Sequence, residues 1–553
     1  MINCSNGMMS TSSSSSAAGA GGNAQSSGLK TYFKTPEGRY KLHYEKGHPS
    51  SVMHYVQGKT VTQATVAIVK DKASPPTPPS QPSSGFSASS GVKLAAAKLL
   101  GGTNGNRTFG FVGGNGGSKS HSVSSKLGPF GSNSTKSNPT SNFDGKGIYL
   151  IFNMGDGLFI SDLNSQDKEP MKAIYFNNVY PVCHAFDQDA KDGHDLLIGL
   201  STGDVYSMSL EQQLQDSGKK LVGAQHYNKD GSVNNSRCTC ISWMPGGDGA
   251  FVVAHADGNM YVYEKGKEGA GDSSFPVVKD PTQFSIAHAR HSKSNPITRW
   301  HTCQGSINGI TFSSDGTHLA TVGRDGYLRV FDYSKEELIC GGKSYYGAIL
   351  CCAWSADGKY ILAGGEDDLV QIWSMDDKKV VAWGEGHNSW VSGVAFDSSW
   401  SPPDTENTEQ TVYRFGSVGQ DTQLLLWDLQ MEEIVVPQRR PPGGSPSVSS
   451  GSQTAQWDNA RPSGTLQPAP SMRDIPKISP LVTHRVHTEP LSGLIFTEES
   501  ILTVCQEGHI KVWMRPGTPA SQGSSNSETP LSTSLKDKSL LSSKVSGSSG
   551  YRQ

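Results

Sequence analysis

Short apolar stretches separated by Gly- and Asp-containing turns recur along the chain. The clearest copy, residues 347–373, reads GAILCCAWSADGKYILAGGEDDLVQIW. It consists of an apolar stretch, an Asp-Gly turn, a second apolar stretch, an acidic turn and a third stretch that ends at Trp373. Apolar runs of this length, bounded by such turns, are typical of β-strands. Because the unit repeats, the chain is predicted to be built from copies of one small sheet.

Seven copies of this unit can be aligned by their turns. They lie at residues 61–69 joined to 148–163, 182–208, 238–264, 306–332, 347–373, 390–396 joined to 413–428, and 491–513. The chain contains 63 Gly and 30 Pro, and only 18% of its residues are charged, a composition that suits many short strands joined by tight turns. The sequence therefore predicts an all-β fold, a seven-bladed β-propeller with disordered termini and insertions.

Low-complexity segments divide the predicted propeller. Residues 1–28, 72–142, 437–473 and 517–553 are rich in Ser, Gly, Pro or Asn, and are predicted to be disordered because they bury too little apolar surface. Between them, residues 143–436 hold the first six blades and residues 474–516 the last blade. Residues 29–71 contain the first propeller strand and a segment, TYFKTPEGRYKLHY from Thr31, that is predicted to close the ring as the outer strand of the last blade.

A turn acid precedes the closing aromatic of a copy by six residues in five of the copies. That interval is one tight turn plus one strand, so each carboxylate is expected to accept N–H bonds in its own turn while the aromatic packs between sheets. A structural role is therefore predicted for these acids rather than a catalytic one. The pairs are Asp257 with Tyr263, Asp325 with Phe331, Asp367 with Trp373, Asp421 with Trp427, and Glu507 with Trp513.

The pattern resembles the WD-repeat family, whose blades carry a hydrogen-bonded His, hydroxyl, Asp and Trp. In this chain the resemblance places His387, Asp421 and Trp427 in such a tetrad, with Gly419 where the family has Ser or Thr. Gly323, Gly365 and Cys505 fall at the same position of other copies, so the tetrads are expected to be incomplete and the blades to depend mainly on apolar packing.

The catalytic and metal-binding patterns considered for this chain give no support for an enzyme. No G-x-S-x-G, Walker A or H-E-x-x-H motif occurs in the sequence. Cys238 and Cys240 are predicted to share one face of a strand as core thiols, and a metal site at His484 and His487 is disfavoured. The chain is accordingly expected to be a non-enzyme without cofactor, metal or small-molecule substrate.

The formal charge of the chain is −2, and basic residues do not cluster with aromatics. Neither a nucleic-acid nor a membrane partner is therefore expected. The absence of an opening hydrophobic signal and of a disulfide-like Cys spacing favours the cytoplasm, the nucleus or both. Protein is the remaining partner class, and propellers present their loops to partners on a rigid scaffold. Two loops carry candidate binding residues: Tyr345 and Tyr346 in KSYYG, and Ser389 and Trp390 in GHNSW.

A closer resemblance rests on GGEDDLV at 364–370 and RFGSVGQDTQL at 414–424. On these segments the chain is similar to the WD-repeat group that contains the mammalian WD-repeat-containing protein twenty, the dystrophia-myotonica WD-repeat protein and the fungal protein CreC. That resemblance implies a regulatory subunit that docks on a ubiquitin-specific protease, alongside a second WD-repeat subunit, and raises its activity. It also implies that Tyr346 and Trp390 anchor the enzyme.

Other functions stay open at this point. A substrate receptor of a cullin ubiquitin ligase would also be a propeller, but Gln430 stands two places after the Trp427-Asp428 pair, where that adaptor motif usually has Arg. A generic interaction scaffold is a further alternative. An enzymatic or nucleotide-binding propeller would need polar side chains that converge on the central channel.

Overall fold

The computed structural model describes residues 29–47, 63–69, 147–402, 411–430 and 464–518, except 168, 191–194, 217, 219, 248, 268 and 270–273. By its contacts the chain divides into residues 1–70 with 145–553, and residues 71–144. All described residues belong to the first unit. The predicted disorder of residues 1–28, 72–142, 437–463 and 519–553 concerns residues outside the described part of the chain.

The described strands form seven sheets, and these are the blades of a β-propeller. A hairpin comes first, formed by β1 (Tyr32–Thr35) and β2 (Gly38–Lys46). Blade 1 has β3 (Ala64–Val69), β4 (Gly147–Met154), β5 (Gly157–Asp162) and β6 (Lys172–Tyr175). Blade 2 has β7 (Pro181–Phe186), β8 (Leu196–Leu200), β9 (Val205–Met208) and β10 (Gln225–Tyr227), with helix α1 (Leu210–Gln215) between its last two strands and a 3-10 turn (Lys229–Gly231) after them.

The next three blades repeat this plan. Blade 3 has β11 (Cys238–Trp243), β12 (Ala250–His255), β13 (Asn259–Glu264), β14 (Ser285–His288) and β15 (Thr298–His301), with β14 at the outer edge. Blade 4 has β16 (Ile307–Phe312), β17 (His318–Gly323), β18 (Tyr327–Asp332) and β19 (Glu337–Lys343). Blade 5 has β20 (Ile349–Trp354), β21 (Tyr360–Gly365), β22 (Leu369–Ser374) and β23 (Lys379–Glu385).

The last two blades are completed by distant segments. Blade 6 has β24 (Val391–Phe396), β25 (Val412–Gly419) and β26 (Gln423–Gln430). Two short strands, β27 (Thr465–Gln467) and β28 (Lys477–Ile478), follow before β29 (Val482–Arg485) forms the outer strand of blade 6. Blade 7 has β30 (Leu491–Phe496), β31 (Ser500–Cys505) and β32 (Ile510–Met514), and takes its outer strands from the N-terminal hairpin.

The seven sheets close into a ring through their inner strands. Each inner strand contacts the inner strand of the next blade, and the inner strand of blade 7 contacts that of blade 1. Apolar clusters fill the spaces between neighbouring blades, as in the cluster that joins Val330 of blade 4 to Ile361, Trp373 and Trp383 of blade 5. The middle strands of a blade have a sheet on each face, which is why β21 and β22 are buried along their whole length.

The N-terminal hairpin completes blade 7. Strand β2 pairs antiparallel with β32, with Leu42 opposite Trp513. Phe33 and Tyr40 of the hairpin stack at 4.8 Å between ring centroids and pack into the cluster of Trp513 and Leu494. The segment from Thr31 therefore lies where the sequence places it, at the outer edge of the last blade.

A strap formed by residues 464–478 crosses the outer edges of blades 4 and 5. Strand β27 pairs parallel with β19, and β28 pairs parallel with β23. Met472 and Ile475 pack against the apolar cluster of the same two blades. The prediction that residues 437–473 are disordered is therefore wrong for residues 464–473. The outer strand of a sheet has unpaired N–H and C=O groups. Another segment can form hydrogen bonds with these groups even when its side chains are polar.

Strand β11 corrects one prediction about side-chain direction. A β-bulge separates Cys238 from Cys240, so the simple alternation of faces does not hold between them. Cys238 packs into the cluster between blades 2 and 3, and Cys240 packs against the cluster between blades 3 and 4. Both thiols lie among apolar side chains, but on opposite faces of the sheet.

Candidate protein-interaction surface

The loops that lead into the inner strands all lie at one end of the blades, here termed the upper face. The turns between the second and third strands of each blade lie at the same end, because neighbouring strands run antiparallel. In blade 5 the upper face carries loop 344–348 and turn 366–368, and in blade 6 it carries loop 386–390 and turn 420–422. The four candidate binding residues therefore lie on loops of two neighbouring blades.

Large aromatic side chains are exposed on these two loops. The exposed fraction is 55% for Tyr345, 72% for Tyr346 and 42% for Trp390, and Ser389 is partly exposed beside Trp390. Aromatic side chains of a folded domain are mostly buried, and exposed ones on a rigid scaffold are typical of protein interfaces. The alternative, in which these rings pack against the backbone of their own loops, does not match their exposure.

The carboxylate of Asp367 fixes the loop that carries the two tyrosines. It accepts hydrogen bonds from the backbone N–H of Leu369 in its own turn, at 3.3 Å, and from the backbone N–H of Tyr345, at 3.1 Å. Burial raises the pKa of Asp367, and the backbone N–H groups of Leu369, Tyr345 and Tyr346 lower it. The turn acid thus holds the preceding loop in place as well as its own turn.

Asp421 holds the incoming loop of blade 6 in the same way, and it also belongs to a larger hydrogen-bond network. Its carboxylate accepts hydrogen bonds from Nδ1 of His387 at 2.9 Å and from the backbone N–H of Asn388 at 3.0 Å. Nε2 of His387 lies 2.8 Å from the hydroxyl of Ser417, and Nε1 of Trp427 donates to the same hydroxyl at 2.8 Å. This network anchors loop 386–390 to the buried centre of the blade. The same loop exposes Trp390 at the surface.

The tetrad of blade 6 is complete, and the assignment of its hydroxyl position to Gly419 is wrong. Ser417 supplies the hydroxyl and pairs with Leu425, two residues before Trp427. By the same register, the residues at this position of the other copies are Thr321, Ala363 and Thr503 rather than Gly323, Gly365 and Cys505.

The glycines have a different role at the ends of these strands. A Cβ at Gly419 would come within 2.9 Å of Nδ1 of His387 and of the backbone oxygen of Trp390. A Cβ at Gly365 would come within 2.2 Å of the backbone oxygen of Ala348. Only glycine allows the incoming loop to pack this closely against the strand end.

Blade 7 contains a second His, hydroxyl and Trp arrangement that the sequence analysis missed. Nε2 of His487 lies 2.9 Å from the hydroxyl of Thr503, and Nε1 of Trp513 donates to that hydroxyl at 3.0 Å. Glu507 stands at the turn-acid position. The interval from hydroxyl to turn acid, four residues, and from turn acid to Trp, six residues, is the same as in blade 6 and could have identified Thr503.

The remaining predicted structural residues lie in or behind turns of the upper face. The carboxylate of Asp257 accepts from the backbone N–H of Asn259 at 3.1 Å, in the turn of blade 3. That of Asp325 accepts from the backbone N–H of Tyr327 at 3.2 Å and pairs with the guanidinium of Arg329 at 2.5 Å, in blade 4. Trp373 is fully buried between blades 4 and 5.

The described residues offer little that could support metal or thiol chemistry. Among them, no group of three or more His, Cys, Asp or Glu side chains is arranged to hold a metal ion. Burial raises the pKa of Cys238 and of Cys351 to about 12, so these thiols are held protonated near neutral pH. No helix in the described part of the chain has the length and apolar character to cross a membrane.

Comparisons with known proteins agree with this architecture. The family described as WD domain, G-beta repeat matches residues 294–332 and 340–374, which cover most of blade 4 and the first three strands of blade 5. The chain is 32% identical over 376 residues to the UBP9-binding protein bun62 of Schizosaccharomyces pombe, and the match covers 62% of this chain. The chain spans 65% of the length of that relative.

A chain in the crystal structure of the mitotic checkpoint complex is also similar, with 13% sequence identity and a TM-score of 0.42. The match covers 66% of this chain and 84% of that chain.

Proposed function

We propose that this seven-bladed β-propeller, which carries WD-domain repeats in residues 294–332 and 340–374, is a non-catalytic scaffold that binds a ubiquitin-specific protease through the upper face of blades 5 and 6 and raises its activity. The single observation that carries the proposal is the exposure of Tyr345, Tyr346 and Trp390 on two neighbouring loops that are held by hydrogen bonds to Asp367 and Asp421. The printed name of the fission-yeast relative, a UBP9-binding protein, supports this partner class.

Rigid loops favour a binding role for these aromatics. Asp367 and Asp421 fix the two loops before any partner arrives, so little conformational entropy is lost when the rings become buried. Buried aromatics near the centre of an interface commonly provide most of its binding energy. The surface thus has the composition and the preorganisation that a stable protein complex requires.

A rigid scaffold can also activate its partner. An enzyme that alternates between an idle and a productive conformation is shifted toward the productive one by a protein that binds that conformation more tightly. A preference of about 1.4 kcal/mol changes the ratio of the two conformations tenfold. The reaction itself would take place on the protease, with this chain in the cytoplasm, the nucleus or both, and with a second WD-repeat subunit on the same enzyme.

Polar groups that could suggest chemistry on this chain already have structural partners. Asp421 and His387 bond to each other and to neighbouring groups of blade 6. Asp428, the acid of the Trp-Asp pair, accepts two hydrogen bonds from the guanidinium of Arg414, at 2.6 and 2.9 Å. Gln430, which stands where the cullin-adaptor motif usually has Arg, favours the protease scaffold over the cullin-ligase receptor.

Affinity purification of the full chain, followed by mass spectrometry, tests the partner class. A ubiquitin-specific protease among the main partners is the expected result, and a cullin adaptor in its place would overturn the proposal. Activation is tested separately, with the purified protease and a ubiquitin–fluorophore substrate. The rate should rise when the chain is added and should stay at the level of the protease alone when the Trp390→Ala variant is added at the same concentration. Hydrolysis by the chain alone would contradict the non-catalytic assignment.

A further inference from the structure

The strap of residues 464–478 pairs with the two strands that lead into the aromatic loops. Strand β27 pairs with β19, and β19 leads directly into loop 344–348, which carries the two tyrosines. Strand β28 pairs with β23, and β23 leads directly into loop 386–390, which carries Trp390. At the outer edges of blades 4 and 5, the strap thus covers the strands from which both loops arise.

The strap is fixed to the end of β23. The backbone N–H of Trp383 donates to the backbone oxygen of Pro476 at 2.9 Å, and the ammonium of Lys477 forms an ion pair with Glu385. Glu385 is the last residue of β23, so this ion pair lies next to the start of loop 386–390. The loop therefore begins at a point that the strap holds.

Pro480, two residues after the strap, packs against the first residue of the same loop. A Cβ at Gly386 would come within 3.0 Å of Cγ of Pro480 and within 2.7 Å of Cδ2 of Leu425. The proline ring and the leucine side chain therefore lie against the backbone of Gly386. The backbone of Gly386 is not in the left-handed region, so this packing rather than its φ favours glycine there.

Hydrogen bonds from blade 6 hold the rest of loop 386–390. Asp421 bonds to two residues of the loop, and the backbone oxygen of Trp390 accepts from the backbone N–H of Gln420 at 2.9 Å. At its first residue the loop is instead confined by the packing of Pro480. The direction in which the loop leaves β23 therefore depends on the proline ring.

We propose that Pro480, held in place by the strap, is a positioning residue for Trp390 and thereby raises the affinity of the upper face for the ubiquitin-specific protease. The inference rests on the proposed function, because it concerns the same surface. Without the proline ring, the start of loop 386–390 has more room and adopts more orientations before the partner arrives. The loop then loses more conformational entropy when Trp390 becomes buried in the complex, so the same contacts give a weaker affinity.

Binding of purified full-chain variants to a defined protease tests this role. The probe is the catalytic domain of the ubiquitin-specific protease most similar to UBP9 in the proteome from which this chain comes. Pro480→Ala removes the ring atoms that face Gly386. Gly386→Ala disturbs the same contact from the side of the loop, because its Cβ would displace the ring or the loop. Pro468→Ala, at an exposed proline between β27 and β28, is the matched control for the loss of a proline.

Pro480→Ala and Gly386→Ala should each bind about fivefold more weakly than the wild type, whereas Pro468→Ala should bind within about twofold of it. All three should melt within a few degrees of the wild type, which separates a binding defect from misfolding. A double-mutant cycle gives a readout that a purely structural role would not change. In the Trp390→Ala background, Pro480→Ala should alter the affinity by less than about twofold, because the ring that it positions is absent.

Three results would overturn the inference, and they differ in what else they affect. If Pro480→Ala and Gly386→Ala bind as tightly as the wild type while Trp390→Ala binds weakly, the positioning role is refuted and the proposed function stands. If Pro480→Ala weakens binding equally with and without the Trp390 ring, Pro480 acts by another route and the positioning role is again refuted. If Trp390→Ala also binds as tightly as the wild type, the proposed interface is refuted as well.

Discussion

The guanidinium of Arg515 donates to both carboxylate oxygens of Asp397, at 2.8 and 2.7 Å. Arg515 follows the last strand of blade 7 and Asp397 follows the inner strand of blade 6, so the pair joins two blades at the end opposite the upper face. Next to it, the guanidinium of Arg414 pairs with Asp428 and with Glu37 of the N-terminal hairpin. These ion pairs lie where the hairpin, blade 6 and blade 7 meet.

Removal of Asp397 should therefore destabilise the ring. The side chain of Asp397 is fully buried and that of Arg515 is 10% exposed. Asp397→Ala leaves a buried guanidinium without its partner and should lower the free energy of unfolding by about 3 kcal/mol. Urea unfolding measures this, with the exposed acid Glu498→Ala as the control, which should change stability by less than about 0.5 kcal/mol. Equal midpoints for the two variants would contradict the assigned role of the pair.

The hydroxyls of Ser417 and Thr503 should each contribute to stability through their blade tetrads. Ser417→Ala leaves Nε1 of Trp427 and Nε2 of His387 without their buried partner, and should cost about 2 kcal/mol. Thr503→Val should cost a similar amount in blade 7. Thr321→Val is the matched control, because Phe331 of blade 4 has no ring N–H to donate to that hydroxyl. A cost at Thr321 equal to that at Thr503 would show that the tetrad is not the cause.

Deletion of residues 29–46 should open the edge of blade 7. The deletion removes the partner of β32 and uncovers Trp513, which packs against Phe33 and Tyr40. Exposed strand edges pair with other chains, so we expect a lower melting temperature and soluble aggregates in size-exclusion chromatography. Point substitution at the exposed residue Tyr32→Ala serves as the control. A melting curve unchanged by the deletion would refute the closing role of the hairpin.

Trp390→Ala and Tyr346→Ala should each weaken binding to the protease by about 2 kcal/mol or more, since truncation of a central interface aromatic has an effect of this size. Because both rings are exposed in the described structure, the variants should melt within a few degrees of the wild type. Calorimetry or surface plasmon resonance measures the affinity, and Tyr32→Ala, an exposed aromatic on the hairpin, is the control. Undiminished binding of both variants would place the interface elsewhere.

His487 should make stability depend on pH. Burial and the nearby Lys511 lower the pKa of His487 to about 3, and the bond to Thr503 raises it. The unfolded chain, with an ordinary His pKa of 6.5, binds the proton more tightly than the folded one. Stability from this group is therefore fully present above about pH 6.5 and falls as the pH is lowered, by about 1.4 kcal/mol for each unit below about pH 6, until pH 3 is approached.

The variant His487→Gln separates this effect from other titrations. His184, whose pKa burial lowers to about 4, acts in the same direction, whereas the pKa of Asp195 is raised by burial to about 6 and acts in the opposite direction. Both groups are present in wild type and variant, so the difference between the two slopes of unfolding free energy against pH, from 7.5 to 5, reports on His487 alone. Identical slopes would contradict the assignment.

The fold could be predicted because the same sequence pattern recurs in most of the blades. Turn acids and closing aromatics at one fixed interval mark blades 3 to 7, and the apolar pattern of β21 and β22 follows directly from burial on both faces. The strap was not predictable. Its strands, Thr465–Gln467 and Lys477–Ile478, are only two or three residues long and lack alternation, because the edges of blades 4 and 5 supply the hydrogen-bond partners.

The aromatic residues of the two loops could be picked out from the sequence, but most of the hydrogen bonds that hold these loops could not. Tyr346 and Trp390 stand out as large aromatics in polar loops, and the family resemblance implies the bond between His387 and Asp421, but the spacing does not show the bonds to the backbone of Tyr345 and Asn388. Ser417 was missed because the position of the hydroxyl depends on the pairing register with β26, which the sequence does not display.

Because β2 pairs with β32, blade 7 can be completed only after β32 has been synthesised. Among the described strands, the hairpin at residues 32–46 is synthesised first and its partner strand, residues 510–514, is synthesised last. Throughout translation the hairpin has no sheet to join, and its Phe33 and Tyr40 stay without their packing site. A ribosome that stops before residue 510 releases a chain in which β2 and β31 both lack the strand that joins them, and chaperones and proteases can distinguish these exposed edges from the finished molecule.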